Sequence, residues 1–489
     1  MLTSSTDHLT LHILTRLSYG PTPGDLDHIQ AIGIDAYIQE QLKPQKLAMP
    51  KELSRRIAQL PDFNQSPPSL LKKYARKPKS EANMTAAKEE RKQAQPQALN
   101  SAIAARIWRA TESPQQLQEV MTEFWFNHFN VFGRKGKIQL YLVDYELNAI
   151  QPHTLGNFRT LLGAIAKHPA MLIYLDNTNN KVIKNRKNQQ AQTKNVNENY
   201  ARELLELHTL GVDGGYSQAD IIALARILTG WGVTQDKNQT ATLVNPAGSY
   251  FRDDWHDFSD KQLLGQTIKG QGQAELEQAL DLIAHHPSTA RHISYKLAQW
   301  FVSDNPPPTL VKQLQQTFLT SNGNITTVLQ TLFKSPSFLD PNTFNAKFKT
   351  PYQYIVSVIR AGDFTVTDPR KVNGWLNQLS MPLYGCLTPN GYDNTAQTWL
   401  NPDGLLRRLT LIEALPQNIA TPDKPQRPLR ASSPQMTSFT KEALQSTLGN
   451  MFTAQTQQVV AANSGTAQGG ALHDRQPTLL LGSPEFMYQ

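Results

Sequence analysis

Three clusters in the chain combine residue types and spacings suited to chemistry. In NENYARELLELHTLG (197–211), a helical wheel of about 100° per residue gathers Asn199, Arg202, Glu203 and Glu206 into an arc of about 100°. Ala201, Leu204 and Leu205 take the opposite side and Leu207 flanks them. Two carboxylates, a guanidinium and an amide on one stripe suit proton donation and abstraction, with Arg202 and Asn199 orienting a substrate. The same stripe also fits the solvated face of an ordinary amphipathic helix. His208 points about 140° or more from both carboxylates and is expected to pack or hydrogen-bond elsewhere.

The second cluster is EFWFNHFNVF, where Glu123, Asn127 and Asn130 share one face of an otherwise aromatic helix. Polar groups on such a helix need partners if buried, so Glu123 and Asn127 are candidate substrate contacts. His128 stands among the aromatic residues. The third cluster, FRDDWHDFSDK, holds Asp253, Asp254, His256, Asp257 and Asp260. One imidazole with several carboxylates suits a hard or borderline divalent cation, which makes His256 and Asp257, with His128, the candidate metal ligands. Asp-rich runs also serve as plain turn and capping material.

Helices must position these groups. LTLHILTRL near the start, FRTLLGAIAKHPAMLIYL, QADIIALARILTGW and a series from about 272 to 362 all carry apolar residues at helical spacing, with Pro and Gly between them. Only GVTQDKNQTATLV and SYFRDDWHDFSDKQLLGQTI read as strand material. The fold class is mainly α, a large multi-helix assembly with at most a small β hairpin and several polar loops. The chain divides into an N-terminal helical segment (1–62), a basic low-complexity insert (63–100), a main helical body (101–415) with a mobile basic loop (177–197), a Pro-rich and Gln/Ala-rich linker (416–475), and a C-terminal segment (476–489) that packs back on the body.

Composition narrows the chemistry. Among 489 residues there is one cysteine, Cys386, which excludes a disulfide framework and any multi-cysteine zinc or iron–sulfur site within the chain. The net charge is +8, but residues 71–100 carry eight basic and three acidic residues, and 177–197 carry five basic and none acidic. The helical body is therefore close to neutral, and the basic loops license only salt-sensitive, non-specific contact with nucleic acid. The phosphate-cradling, dinucleotide-binding, serine-hydrolase and zinc-protease signatures are all missing. No stretch approaches about eighteen apolar residues and no export signal is present, so the sequence as written reads as cytoplasmic.

Taken in order, HILTRLSYGPTP, EFWFNHF, MLIYLDN, NENYARELLELHTLGVDGGYSQADIIALARILTGW, HDFSDKQLLG, HHPSTARHISYKL, KFKTPYQYIVSVIRAG, PNGYDNTAQTWLNP and LLLGSPEFM resemble the bacterial domain of unknown function 1800 family. The resemblance implies that Arg202, Glu203, Glu206 and His208 lie in the family's signature segment. It also implies work in the periplasm or at the surface, beside a sulfatase-like or phosphatase-like partner. The chain departs from the family pattern at Trp-His-Asn-His-Phe, having Phe126 in place of the first histidine.

Two readings remain open. In the first, Glu203, Glu206 and Arg202 are the catalytic groups of an enzyme acting by hydrolysis or group transfer on an envelope polymer or polyhydroxyl substrate. Asn199, Glu123 and Asn127 then contact the substrate, and His128, His256 and Asp257 hold a divalent metal ion. In the second, the chain is a non-catalytic helical scaffold or accessory protein whose charges fix helix packing.

Overall fold

The computed structural model describes residues 2–75, 84–184, 191–192, 196–234, 243–418, 440–462 and 476–489. Much of the basic insert between 76 and 83, the centre of the 177–197 stretch and much of the 416–475 linker lie outside the described residues.

Helices dominate, as the periodicity requires. Those that matter for the site are α1 (Leu2–Leu17), α2 (Met84–Glu112), α3 (Gln116–His128), α4 (Phe158–Ala166), α5 (Pro169–Tyr174), α6 (Asn199–Glu206), α7 (Gln218–Ile227), α8 (Gln273–Ala284), α9 (Pro287–Phe301), α10 (Pro308–Thr320), α11 (Ile325–Phe333) and α12 (Pro351–Ala361). Their ends follow local chemistry. Asn157 caps α4 through its side chain, Ser217 and Asp220 form a capping box on α7, and Thr350 with Gln353 does the same for α12; each arrangement satisfies amide groups that a helix start leaves without partners.

Helix α3 is central, with Leu117, Met121, Phe124, Trp125 and Phe126 all buried, which explains an apolar helix with no wet face. Its polar exceptions meet α2. Arg106 and Arg109 of α2 are buried and pair with Glu146 and Glu119, at 3.2 Å for Arg106–Glu146 and 3.1 Å for Arg109–Glu119. Tyr384 adds a hydroxyl donor to Glu146 at 2.8 Å.

Among the described residues the β structure is three two-stranded antiparallel ladders: β1 (Ile183–Lys184) with β2 (Ala191–Gln192), β3 (Trp231–Val233) with β4 (Ser249–Phe251), and β5 (Lys261–Leu263) with β6 (Gln266–Ile268). The β3–β4 pair sits where the sequence suggests a hairpin. The β5–β6 pair turns through Leu264 (φ 48°) and Gly265 (φ 76°), the two positive-φ positions of a tight hairpin turn.

Two stretches expected to be irregular contain packed structure. Asn177 and Asn180 open the basic stretch but are buried, because their amides donate to the Leu228 and Ala225 carbonyls at the end of α7. Ala454–Ala462, inside the expected linker, is a helix that buries Val460; Ala and Gln favour the helix, and one apolar anchor docks it.

The chain termini are tied to one region. His12 Nε2 lies 2.9 Å from the Phe338 carbonyl and Arg16 donates to the Thr343 carbonyl. Lys347 and Gln489 exchange backbone hydrogen bonds, Lys349 N–H donates to the Met487 carbonyl, and the Lys349 ammonium reaches the Phe486 carbonyl at 2.8 Å.

Candidate functional site

The site begins with how α6 ends. A helix leaves its last carbonyls without amide partners, and here several of those at and just beyond the end of α6 have donors. Thr209 Oγ1 donates to Leu204 O at 2.6 Å, and Gly211 N–H donates to Leu205 O at 3.2 Å. Two histidines from other helices reach the carbonyls just beyond it: His292 Nε2 of α9 lies 3.2 Å from Leu207 O, and His128 Nε2 of α3 lies 3.0 Å from His208 O. Gly211 has φ +87°, and a Cβ there would lie 3.0 Å from His292 Nδ1, so both backbone conformation and space call for glycine.

Burial holds these imidazoles neutral. It drives His128 well below the ordinary histidine range, and takes His208 down to about 3 and His292 to about 4, with the neighbouring Lys296 ammonium adding to the effect. Lys296 is itself shifted down by burial, opposed by Asp393. His128 Nδ1 and His208 Nε2 are buried and have no hydrogen-bond partner among the described residues.

The other polar groups of α3 clamp a loop. Asn127 Nδ2 donates to the Tyr392 carbonyl at 2.6 Å, and its Oδ1 accepts from Tyr392 N–H at 2.7 Å. A side chain at Gly391, which has φ +74°, would collide with the Asn127 carbonyl. Asn130 donates to the Cys386 and Thr388 carbonyls, and Tyr174 at the end of α5 donates its hydroxyl to Leu387 O at 2.8 Å. Asn199 is likewise a clamp, reaching the Leu175 carbonyl at 3.2 Å.

The α6 stripe faces outward from this hub. Arg202 stands between Glu198 and Glu206, at 3.1 and 3.2 Å; all three are partly exposed, and such ladder pairs contribute only about 0.3–0.5 kcal/mol each. Glu206 also meets Tyr216, whose hydroxyl is pushed up to about 12 by burial and by that carboxylate. Glu203 differs. It is half-buried, no hydrogen-bond donor or cation among the described residues reaches its carboxyl within bonding distance, and burial followed by the Glu206 charge raises its pKa against the pull of Arg202. Tyr174 is near enough for its hydroxyl to feel the Glu203 charge.

Glu123 shares a face of α3 with Asn127. With Asn127, Asn130, Arg106, Tyr352 and Tyr384 it lines a small cavity of about 30 Å³, room for about one water. Its Oε2 has no partner among the described residues, and burial pushes its carboxyl up to about 7 despite Arg106 nearby.

The three suggested metal ligands are not brought together. His128 is held in the α3–α6–α9 hub. His256 is buried elsewhere, its Nδ1 2.8 Å from the Thr229 carbonyl and its Nε2 2.8 Å from Glu275, which also pairs with the buried Lys261. Asp257 is taken by Arg226 at 2.6 Å and by Ser259, which hold its carboxyl down at about 2. Among the described residues no group of three or more His, Cys, Asp or Glu is arranged to hold a metal ion. Both ring nitrogens of His256 and both carboxyl oxygens of Asp257 have protein partners, and the grouping expected from residue type is not found among the described residues.

A family model described as a protein of unknown function (DUF1800) matches residues 12–488. The chain belongs to the DUF1800 family. No curated protein and no solved structure matches it. In this DUF1800 chain, four of the stretches that carried the resemblance meet at or just beyond α6, and a fifth is held by α3. EFWFNHF supplies Asn127 and His128, MLIYLDN supplies Tyr174, NENYARELLELHTLG supplies α6, HHPSTARHISYKL supplies His292 and Lys296, and PNGYDN supplies Gly391 and Tyr392. Sequence reasoning missed Tyr174, His292 and Lys296, which lie far along the chain from the α6 segment that they approach, and Tyr216, which follows Glu206 by ten residues but comes after the end of its helix. No helix among the described residues is long and apolar enough to cross a membrane.

Proposed function

We propose that this DUF1800 chain is an enzyme that cleaves or transfers a group on an envelope polymer or polyhydroxyl substrate, with Glu203 as its proton donor. The observation that supports this reading is the contrast between two neighbouring carboxyls on α6. Glu203 is half-buried, without a donor among the described residues and raised in pKa, whereas Glu206 is ion-paired with Arg202. Environments that set two acids apart in this way suit one as general acid and the other as general base. Glu203 would protonate the leaving oxygen while the Glu206 carboxylate takes a proton from the attacking water or hydroxyl, and Arg202 orients the substrate. A metal ion has no part in this scheme.

The test is a panel of envelope polysaccharides and their fragments incubated with purified protein, with products read by mass spectrometry. Glu203→Gln should lower turnover by about 10²- to 10⁴-fold with unchanged thermal unfolding. A variant as active as the wild type would remove Glu203 from the reaction.

The accessory reading draws support from a different observation. Asn127, Asn199, His128, His256 and Asp257 each make a hydrogen bond inside the protein, as residues that only organise a scaffold would. In that reading the exposed Glu198–Arg202–Glu206 face meets a sulfatase-like or phosphatase-like partner in the envelope. A wild-type protein inert across the panel would favour it.

A further inference from the structure

Away from α6, a groove of about 580 Å³ opens between three walls, a volume within the range of small-molecule sites. The first wall is Tyr145–Ile150, a turn of π-helix, a conformation uncommon in helices and often found at functional sites. The second is the face of α4 bearing Thr160, Gly163 and Ala164, and the third is the loop 244–247 that leads into β4. The floor is made of small or compact apolar residues: Ala149, Gly163, Ala164, Val244, Pro246 and Ala247.

The polar groups around that floor are specific in kind. Asp144 accepts from Asn148 Nδ2 at 2.8 Å and from His168 Nε2 at 3.0 Å. His168 Nδ1 meanwhile accepts from Ala170 N–H, so both ring nitrogens are committed and His168 positions Asp144 without acting as a base. The amide oxygen of Asn148, the His153 ring and the Thr160 hydroxyl have no partner among the described residues and line the groove. Two cations border it, but both are neutralised: Arg159 by Asp281 at 2.6 Å and Glu277 at 2.8 Å, and Lys167 by Glu277 at 2.7 Å. An anionic ligand therefore finds no free charge there.

We propose that this groove binds an uncharged polyhydroxyl ligand, a mono- or disaccharide unit. Its ring C–H face lies on the small apolar floor, and its hydroxyls are shared among the Asp144 carboxylate, the Asn148 amide, His153 and Thr160. A carboxylate beside an amide accepts and donates to adjacent hydroxyls at once, and the alanines and glycine give a flat ring the room that larger side chains would fill. This site does not depend on Glu203 being catalytic.

The experiment is titration calorimetry of the full chain with glucose, N-acetylglucosamine and maltose, each at up to about 10 mM, where a millimolar site fills, and with inorganic phosphate as competitor. At least one sugar should bind with phosphate unable to displace it. Ala164→Phe should abolish binding, Asn148→Ala with Thr160→Ala should weaken it about tenfold or more, and Glu203→Gln should leave it unchanged. If Ala164→Phe does not fold, the Asn148/Thr160 pair decides. Failure of all three sugars to bind the wild type, displacement by phosphate, or binding that survives the polar substitutions would overturn the proposal. Unchanged activity in Glu203→Gln with sugar binding intact would fall on the catalytic reading alone.

Discussion

Replacing Glu123 with glutamine should make the protein more stable at neutral pH and leave it nearly unchanged in acid. The carboxyl is buried against the small cavity with one oxygen lacking a partner. Arg106, which lines the same cavity, is committed to Glu146 at 3.2 Å, and burial raises Glu123 from 4.5 to about 7. A carboxyl whose pKa is higher folded than unfolded gives its full stability below the unfolded value and loses it as pH rises through the folded value. From 4.5 to 7, at about 1.4 kcal/mol per pH unit, the loss is about 3 kcal/mol. Glutamine keeps the shape and never ionises. The difference between Glu123→Gln and wild type should therefore be close to zero at pH 4.5 and grow to about 3 kcal/mol in favour of the variant by pH 8. Urea unfolding at several pH values between these limits measures it, and comparing the two proteins cancels every other titration they share. A difference that stays flat with pH would mean that Glu123 ionises alike in both states, and that Arg106 turns to meet it.

Glu275→Ala removes the shared acceptor of two fully buried groups, Lys261 and His256; stability should fall by about 3–5 kcal/mol in urea unfolding, because a buried ammonium is left unpaired, and a loss under about 1 kcal/mol would mean that water reaches Lys261. Asn127→Ala frees both backbone groups of Tyr392, so it should cost about 2 kcal/mol and speed limited proteolysis of the loop around Gly391, a cleavage rate equal to wild type arguing against the clamp.

The helices were legible because their apolar spacing survives in any single window, and so was the amphipathic character of α6. Glu123, Asn127 and Asn130 were correctly placed on one face, and they line one cavity. Their work was not legible: whether an amide meets a ligand or a loop depends on residues such as Tyr392, more than two hundred positions away. His256 and Asp257 show the same limit. Residue type suggested a cation, but Glu275, Thr229 and Arg226, brought in by the fold, claim the donor atoms. The helix at Ala454–Ala462 was missed because its one buried anchor, Val460, gives no periodic signal.

The pairing of Lys347 and Lys349 with the last residues of the chain bears on the order of folding. Lys349 meets Phe486, 137 residues later, while His12 meets Phe338, 326 residues later. During synthesis α1 must wait for the 338–344 segment, and that segment then waits for 486–489. Loop closure over such separations is entropically costly and slow, so the half-made chain leaves apolar surface of α1 and α12 uncovered for seconds to tens of seconds at ordinary elongation rates. Such a chain has reason to depend on chaperones while it is being made, and a ribosome stalled between residues 344 and 486 would hold a molecule whose Lys347–Lys349 segment still lacks its partners.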